Sequence, residues 1–186
     1  MQKQKLMARL ILAVIISGSA STVLAAQATV TAGDWSPWRR EAGDSFTCPE
    51  NQFIVAREHK GDENGDTRYK CGTAKQNGEV IITKDSVWSA NIKESDGTAY
   101  NCASKTPQQA ITGRQHSGDE NGNTKYQCST PIDAWGKPMN IISGEWSTPE
   151  KESGLSYACV NNTVMIGRKH SGDENGNTSY LCGQLW

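Results

Sequence analysis

After position 25 the chain has no apolar run long enough to hold it in a bilayer. It has no Cys-x-x-Cys pair, no cluster of lysine and arginine, and no serine or cysteine in a nucleophile context. None of its segments spaces its apolar residues with a helical period. These absences remove whole classes in turn: membrane-spanning proteins, thiolate metal sites, binders of nucleic acid or anionic membranes, triad hydrolases and helical bundles. The chain therefore reads as an all-β protein that is not an enzyme, inserts in no membrane and binds no nucleic acid.

Residues 1–25 carry the three parts of a secretory signal peptide. Lys3, Lys5 and Arg9 give a positive start, Leu10 to Ile16 an apolar run, and Val23-Leu24-Ala25 a small-residue cleavage site. No cysteine follows that site, which closes the lipoprotein route. The expected location is secreted or periplasmic. The segment takes with it three of the 19 Lys+Arg and none of the 20 Asp+Glu, leaving 16 against 20, a net charge of −4. Residues 26–186, roughly 160 in number, suit one domain.

The main feature is Arg-x-His-x-Gly-Asp-Glu-Asn-Gly-x-Thr-x-Tyr-x-Cys, written three times: Arg57 to Cys71, Arg114 to Cys128 and Arg168 to Cys182. Each copy ends a longer unit, and the units run over about 28–75, 79–130 and 138–186. A unit opens with a β-rich stretch ending in Trp-Ser (Trp35, Trp88, Trp146). A first cysteine follows, with an aromatic two residues before it (Phe46, Tyr100, Tyr157), and then an apolar segment carrying Ile54, Ile111 or Ile166. The middle unit holds three extra residues between Cys102 and His116, which suggests a longer turn around Pro107.

Six cysteines in an exported chain imply three disulfides. Equivalent units should fold equivalently, which selects Cys48–Cys71, Cys102–Cys128 and Cys159–Cys182. Each bond closes a loop of about 24 to 27 residues and is worth roughly 3 kcal/mol. A unit of this size cannot build a core alone, so three should pack about a pseudo-threefold axis. The expected body is all-β, with three pseudo-symmetric disulfide-stapled repeats, trefoil-like or prism-like. A row of three small modules is the alternative.

The repeated loop has two possible registers. A two-residue Asn-Gly turn would pair His59 with Lys70, whereas a wider loop from Lys60 to Asp66 would pair His59 with Thr67 and Arg57 with Tyr69. The wide loop is preferred, because Gly61 lies just before the acidic pair. It sets Arg, His, Thr and Tyr on one surface beside Asp-Glu-Asn. The candidate ligand-binding residues are then Arg57, His59, Asp62, Glu63 and Asn64 in unit one. Their counterparts are Arg114, His116, Asp119, Glu120 and Asn121, then Arg168, His170, Asp173, Glu174 and Asn175.

Those side chains match the hydroxyls of a sugar, and three weak sites on one body gain avidity. The expected partners are glycans or glycosylated cell-surface or matrix components. A turn copied by duplication explains the same residues, and would make the chain a structural envelope or matrix protein. Asp62, Asn64 and Asp66 have the 1-3-5 spacing of a calcium loop, although position twelve lacks Glu. His59, His116 and His170 could also converge on the axis as a His₃ zinc site. No cofactor is needed by the sugar-binding reading, and calcium is the one that would fit.

Cys48-Pro49-Glu50-Asn51-Gln52-Phe53-Ile54, then His59, an acidic loop and Tyr69-Lys70-Cys71, with Trp35 upstream, resembles the repeat of dermatopontin and the amebocyte aggregation factors. Where that family has Asp-Arg-x-Trp, this chain has Asp-Thr-Arg-Tyr or Asn-Thr-x-Tyr. The resemblance implies an intra-unit disulfide, extracellular adhesion and glycan or matrix binding.

Overall fold

The computed structural model describes residues 26–186 apart from 62–64, 94, 120–121 and 173–175. The expected signal peptide lies outside the described residues. Unit one contributes β1 (Thr29–Trp35), β2 (Arg39–Arg40), β3 (Ser45–Thr47), β4 (Gln52–Lys60) and β5 (Asp66–Gln76). Unit two contributes β6 (Glu79–Val80), β7 (Ile82–Trp88), β8 (Ile92–Lys93), β9 (Tyr100–Asn101), β10 (Ala110–Ser117) and β11 (Asn123–Ile132). Unit three contributes β12 (Ile141–Trp146), β13 (Glu150–Lys151), β14 (Ser156–Ala158), β15 (Thr163–Ser171) and β16 (Asn177–Leu185). The one helical element among the described residues is a single 3₁₀ turn, Cys102–Ser104, inside the longer connection of the middle unit. That connection also contains the cis Thr106–Pro107 bond.

Each unit builds one antiparallel sheet from its Trp-terminated strand and its two long hairpin strands. The fourth strand comes from a neighbour. β3 of unit one pairs with β10 of unit two, with Phe46 opposite Arg114. β9 of unit two pairs with β15 of unit three, with Tyr100 opposite Arg168. β14 of unit three returns to β4 of unit one, with Tyr157 opposite Arg57. The exchange closes on itself, so the units form one threefold body of three separate sheets, prism-like in arrangement. A row of independent modules would leave the last donated strand unpaired, and here it is paired with the first unit.

The hairpin register is that of the wide loop: Arg57 faces Tyr69, His59 faces Thr67 and Lys60 faces Asp66. The same pairs recur at Arg114–Tyr126 and His116–Thr124, and at Arg168–Tyr180 and His170–Thr178. A bulge at Val55 offsets the alternation, so Ile54, opposite Cys71, shares its face of β4 with Arg57 and His59, opposite Tyr69 and Thr67. Phe53 and Val55 join Ala110, Val164, Ile166, Met139, Ile141 and Leu185 in a cluster drawn from all three units.

The three disulfides are Cys48–Cys71, Cys102–Cys128 and Cys159–Cys182, with Cα separations of 5.7, 5.7 and 5.8 Å. Beside each pair a ring stack forms: Phe46 on Tyr69, Tyr100 on Tyr126 and Tyr157 on Tyr180, with centroids 4.4, 5.1 and 4.6 Å apart. The recurring aromatics thus pack beside the disulfides. Of the aromatics outside the repeat frame, Phe53 is buried and Trp135 is 66% exposed. No helix among the described residues is long and apolar enough to cross a membrane. Three disulfides and no free cysteine among the described residues fit an oxidising compartment outside the cytoplasm.

Candidate functional site

The three motif arginines lie inside the protein. Arg57, Arg114 and Arg168 are only 1%, 2% and 2% exposed, each carried by the middle of a hairpin strand onto the pseudo-threefold axis. Buried guanidinium groups demand carboxylate partners. Glu41 and Glu152 supply them from outside the motif. Arg57 Nη2 donates to both Glu41 carboxylate oxygens at 2.8 Å, and its Nη1 donates to Glu152 Oε1 at 2.6 Å. Arg114 Nη1 meets Glu41 Oε1 at 2.5 Å, and Arg168 Nη2 meets Glu152 Oε2 at 2.6 Å. Each of these glutamates therefore bridges the arginine of its own unit and that of the next.

Tyrosines complete the pattern across the same boundaries. Arg57 Nη1 donates to the Tyr180 hydroxyl at 3.0 Å, Arg114 Nη1 to Tyr69 at 3.3 Å and Arg168 Nη1 to Tyr126 at 3.2 Å. In every case the tyrosine belongs to the preceding unit in the cycle. Arg57, Glu41, Arg114, Arg168 and Glu152 thus lie on one ring-shaped network that ties the hairpins together.

Sequence reasoning missed these glutamates, although a signal was present. Glu41, Glu94 and Glu152 each stand six residues after the unit's tryptophan. Three arginines in a chain with this burial call for three such acids. Glu94 itself lies outside the described residues.

The histidines form a second layer towards the loops. His59 Nδ1 is 2.6 Å from Glu41 Oε2, and His170 Nδ1 is 2.6 Å from Glu152 Oε2. Thr178 donates its hydroxyl to the same Glu152 oxygen at 2.6 Å. His116 Nδ1 lies 2.9 Å from the Thr124 hydroxyl, and its Nε2 lies 3.2 Å from the Asp119 carbonyl. A carbonyl only accepts, so Nε2 carries the proton, and a neutral ring takes the Thr124 hydroxyl proton at Nδ1. Burial, with Arg114 beside it, lowers the His116 pKa to about 4, consistent with that neutral form.

Burial alone would raise the Glu41 carboxyl, but Arg114 and Arg57 outweigh it and hold it well below the ordinary carboxylate range. Glu152 is held low against its own burial by Arg57 and by the hydrogen bond from His170. Burial pushes the Tyr126 phenol up, so its hydroxyl keeps its proton.

Glu41, His59 and Glu152 bring possible metal-ligand atoms within 4.8 Å of one another. The guanidinium of Arg57 already stands among them and donates to both carboxylates. A divalent cation there would face that fixed positive charge and compete for the same lone pairs. The three histidines are engaged separately, His59 by Glu41, His116 by Thr124 and His170 by Glu152. The convergence of all three that a His₃ site requires is not seen among the described residues, where the arginines meet the shared glutamates.

The loops close in the same way in each unit. Gly61, Gly118 and Gly172 adopt φ of +89°, +97° and +94°, a region that L side chains rarely enter. A Cβ on any of them would lie 3.1–3.2 Å from the Cα of the second loop glycine, Gly65, Gly122 or Gly176. The carbonyls of Gly65 and Gly176 accept the backbone N–H of Glu41 and Glu152 at 3.0 and 3.1 Å, so the ring glutamates also hold the loop ends. Asp119 is exposed, and its carbonyl accepts the Gly122 N–H at 2.7 Å. Asp62, Glu63, Asn64, Glu120, Asn121, Asp173, Glu174 and Asn175 lie outside the described residues. The calcium spacing falls mostly on them; Asp66, its third position, is 3.6 Å from Lys60 Nζ.

Fold and site together define a class: a threefold, strand-exchanged, disulfide-stapled β body with a buried arginine–glutamate ring beneath three equivalent loops. Compared with protein-family models, curated proteins and solved structures, the chain matches none.

Proposed function

We propose that the chain is an exported, non-enzymatic binding module that recognises glycans, or glycosylated cell-surface or matrix components, through three Gly-Asp-Glu-Asn-Gly loops carried on one body. One observation carries this reading: the same acidic tripeptide follows Gly61, Gly118 and Gly172, and Asp119, its described member, is exposed. Arg, His, Thr and Tyr serve the ring and its second layer. The two glycines shape the loop, and the cysteine is bonded. Asp119 joins that scaffold through its backbone carbonyl, and each copy offers the same Asp, Glu and Asn side chains. These are also the side chains suited to vicinal hydroxyls. Three equivalent loops carried on one body favour multivalent attachment to a surface. The resemblance to dermatopontin-type repeats points the same way. The arginines and histidines then act as the mount of the site and make no contact with ligand.

The test is a glycan array probed with wild type and with Asp62→Ala/Asp119→Ala/Asp173→Ala. Each lost carboxylate leaves a sugar hydroxyl unpaired and costs about 1–3 kcal/mol, and three losses compound. Binding is expected to vanish while the thermal midpoint stays within a few degrees. An unchanged array signal would remove the loops as the binding sites. A variant that does not fold would favour the structural reading, in which the loops are turns of an envelope or matrix protein.

A further inference from the structure

The three units diverge at one surface position, and the divergence opens a groove. Three residues after the unit's tryptophan stand Trp38, Asn91 and Pro149. In unit one the Trp38 ring lies against its own hairpin, with Lys60 Nζ 4.1 Å and the Arg68 guanidinium carbon 4.3 Å from its centroid. In unit two the counterparts of Trp38, Lys60 and Arg68 are Asn91, Ser117 and Lys125. The indole is missing, and between these three side chains lies a cavity of about 410 Å³. Its opposite wall is Gly43, Asp44 and Ser45 of unit one, brought there by the exchanged strand β3.

The lining is polar almost throughout. Gln115, His116 and Asn123 complete the wall; both His116 ring nitrogens are bonded, to Thr124 and Asp119, and Gln115 Nε2 donates to the Ser45 hydroxyl at 3.1 Å. The wall's carboxylate, Asp44, has a side chain only 3% exposed, and Arg39 holds its Oδ1 at 2.6 Å. Among the described residues Lys125 has no carboxylate partner. The groove therefore offers amides, hydroxyls and the positive charge of Lys125. Its volume sits at the small end of small-molecule sites, about 300–1,000 Å³, but those are mostly apolar. A ligand suited to it is small, rich in hydroxyls and negatively charged.

We propose that this inter-unit groove binds the carboxylated sugar of a glycan, a uronic acid, with Lys125 on the carboxylate and Asn91 and Gln115 on the ring hydroxyls. It rests on the sugar-recognition reading for its ligand class, and adds a single site with a charge preference beside three equivalent loops. The exchanged strand matters here, because without β3 the groove has one wall.

The experiment is titration of the full exported chain with D-glucuronate and D-galacturonate, each beside its neutral sugar, followed by the side-chain amide and amine NMR signals of Asn91, Gln115 and Lys125. Uronates are expected to move these signals at millimolar concentration, and the neutral sugars to bind roughly tenfold more weakly for want of a charge-assisted contact. Lys125→Met should erase the difference between charged and neutral sugars. Asn91→Trp, which restores the indole of unit one, should abolish binding. Equal binding of charged and neutral sugars to wild type overturns the proposal. So does an absence of movement at these residues, or uronate binding that survives Asn91→Trp. The loop variant Asp62→Ala/Asp119→Ala/Asp173→Ala separates the two readings. If it loses array binding and keeps the uronate response, both sites stand; if the groove response disappears with the loops, the groove is no site of its own.

Discussion

Replacing Arg57 by methionine tests whether the axial ring holds the three units together. Arg57 is shared by Glu41 of its own unit and Glu152 of unit three, and it donates to Tyr180 as well. Methionine fills much of the same volume but removes every one of these donors. Glu41 keeps Arg114 and His59, and Glu152 keeps Arg168, His170 and Thr178, so neither carboxylate is wholly abandoned. Removing one partner of a buried ion pair costs about 3–5 kcal/mol, mostly because the charge left behind cannot return to water. The lower half of that range is expected here, since each acid retains other donors. For a domain with about 5–15 kcal/mol in all, that is a large fraction.

The assay is guanidinium chloride unfolding with disulfides intact, read by tryptophan fluorescence. A loss of about 3 kcal/mol against a slope of about 2–6 kcal/mol/M moves the midpoint down by roughly 0.5–1.5 M. In a thermal scan the same loss lowers Tm by roughly 6–12 °C. Arg68→Met is the control. Its pair with Glu58 is 24–26% exposed and should cost no more than about 1 kcal/mol. Acid supplies a second check. Both ring glutamates have folded pKa values below their unfolded ones, so wild type loses stability as pH falls below the unfolded carboxylate range. Without Arg57 the depression is smaller, so the two stability curves should converge on acidification. If Arg57→Met costs no more than Arg68→Met, the ring is not what joins the units.

Acidification should destabilise the wild-type protein in two stages. His116 takes a proton near pH 6.5 when unfolded and near 4 when folded, so stability is full above 6.5 and falls as pH drops towards 4, by up to about 3 kcal/mol. Glu41 and Glu152 add their loss lower down. Calorimetric Tm values that stay level between pH 7 and 4 would contradict this. A single excised unit, residues 28–78, should be unfolded by circular dichroism even when oxidised. It lacks the strand β14 that edges its sheet, and it keeps Arg57 without Glu152 or Tyr180. A cooperatively folding single unit would show that closure is dispensable.

Much of the fold was legible because the units repeat. Equivalence fixed the three disulfides without geometry. Gly61 ahead of the acidic pair marked the wide loop, and with it the pairing of His59 with Thr67. The strand exchange was not legible. β3, β9 and β14 are two or three residues long, and nothing in a short Ser-Phe-Thr or Ser-Tyr-Ala run says whether its partner lies in its own unit or the next. The direction of the hairpin face was likewise hidden. A row of Arg, His and Thr reads as a solvent-facing polar surface, and its burial became intelligible only with Glu41 and Glu152 as counter-charges. The spacing of those acids from the tryptophans was the available signal.

The pattern of what is kept and what has drifted follows from closure. A residue on a threefold axis meets its own counterparts, so one altered copy disturbs two boundaries. Arg57 illustrates this, with contacts to Glu41 of its own unit and to Glu152 and Tyr180 of unit three. Positions at the rim meet one neighbour and can change singly, as Trp38, Asn91 and Pro149 have done. Identity among the copies therefore marks the axis first, and by itself says little about ligand. Asp-Glu-Asn is the stretch where this rule meets the proposed ligand. Asp119, the described member of the three tripeptides, is exposed at the rim, where drift is tolerated, yet the tripeptide is the same in every copy. The Asp119 carbonyl, bonded to His116 and Gly122, ties one copy to the scaffold through its backbone; the proposed ligand, met three times, would hold the side chains alike as well.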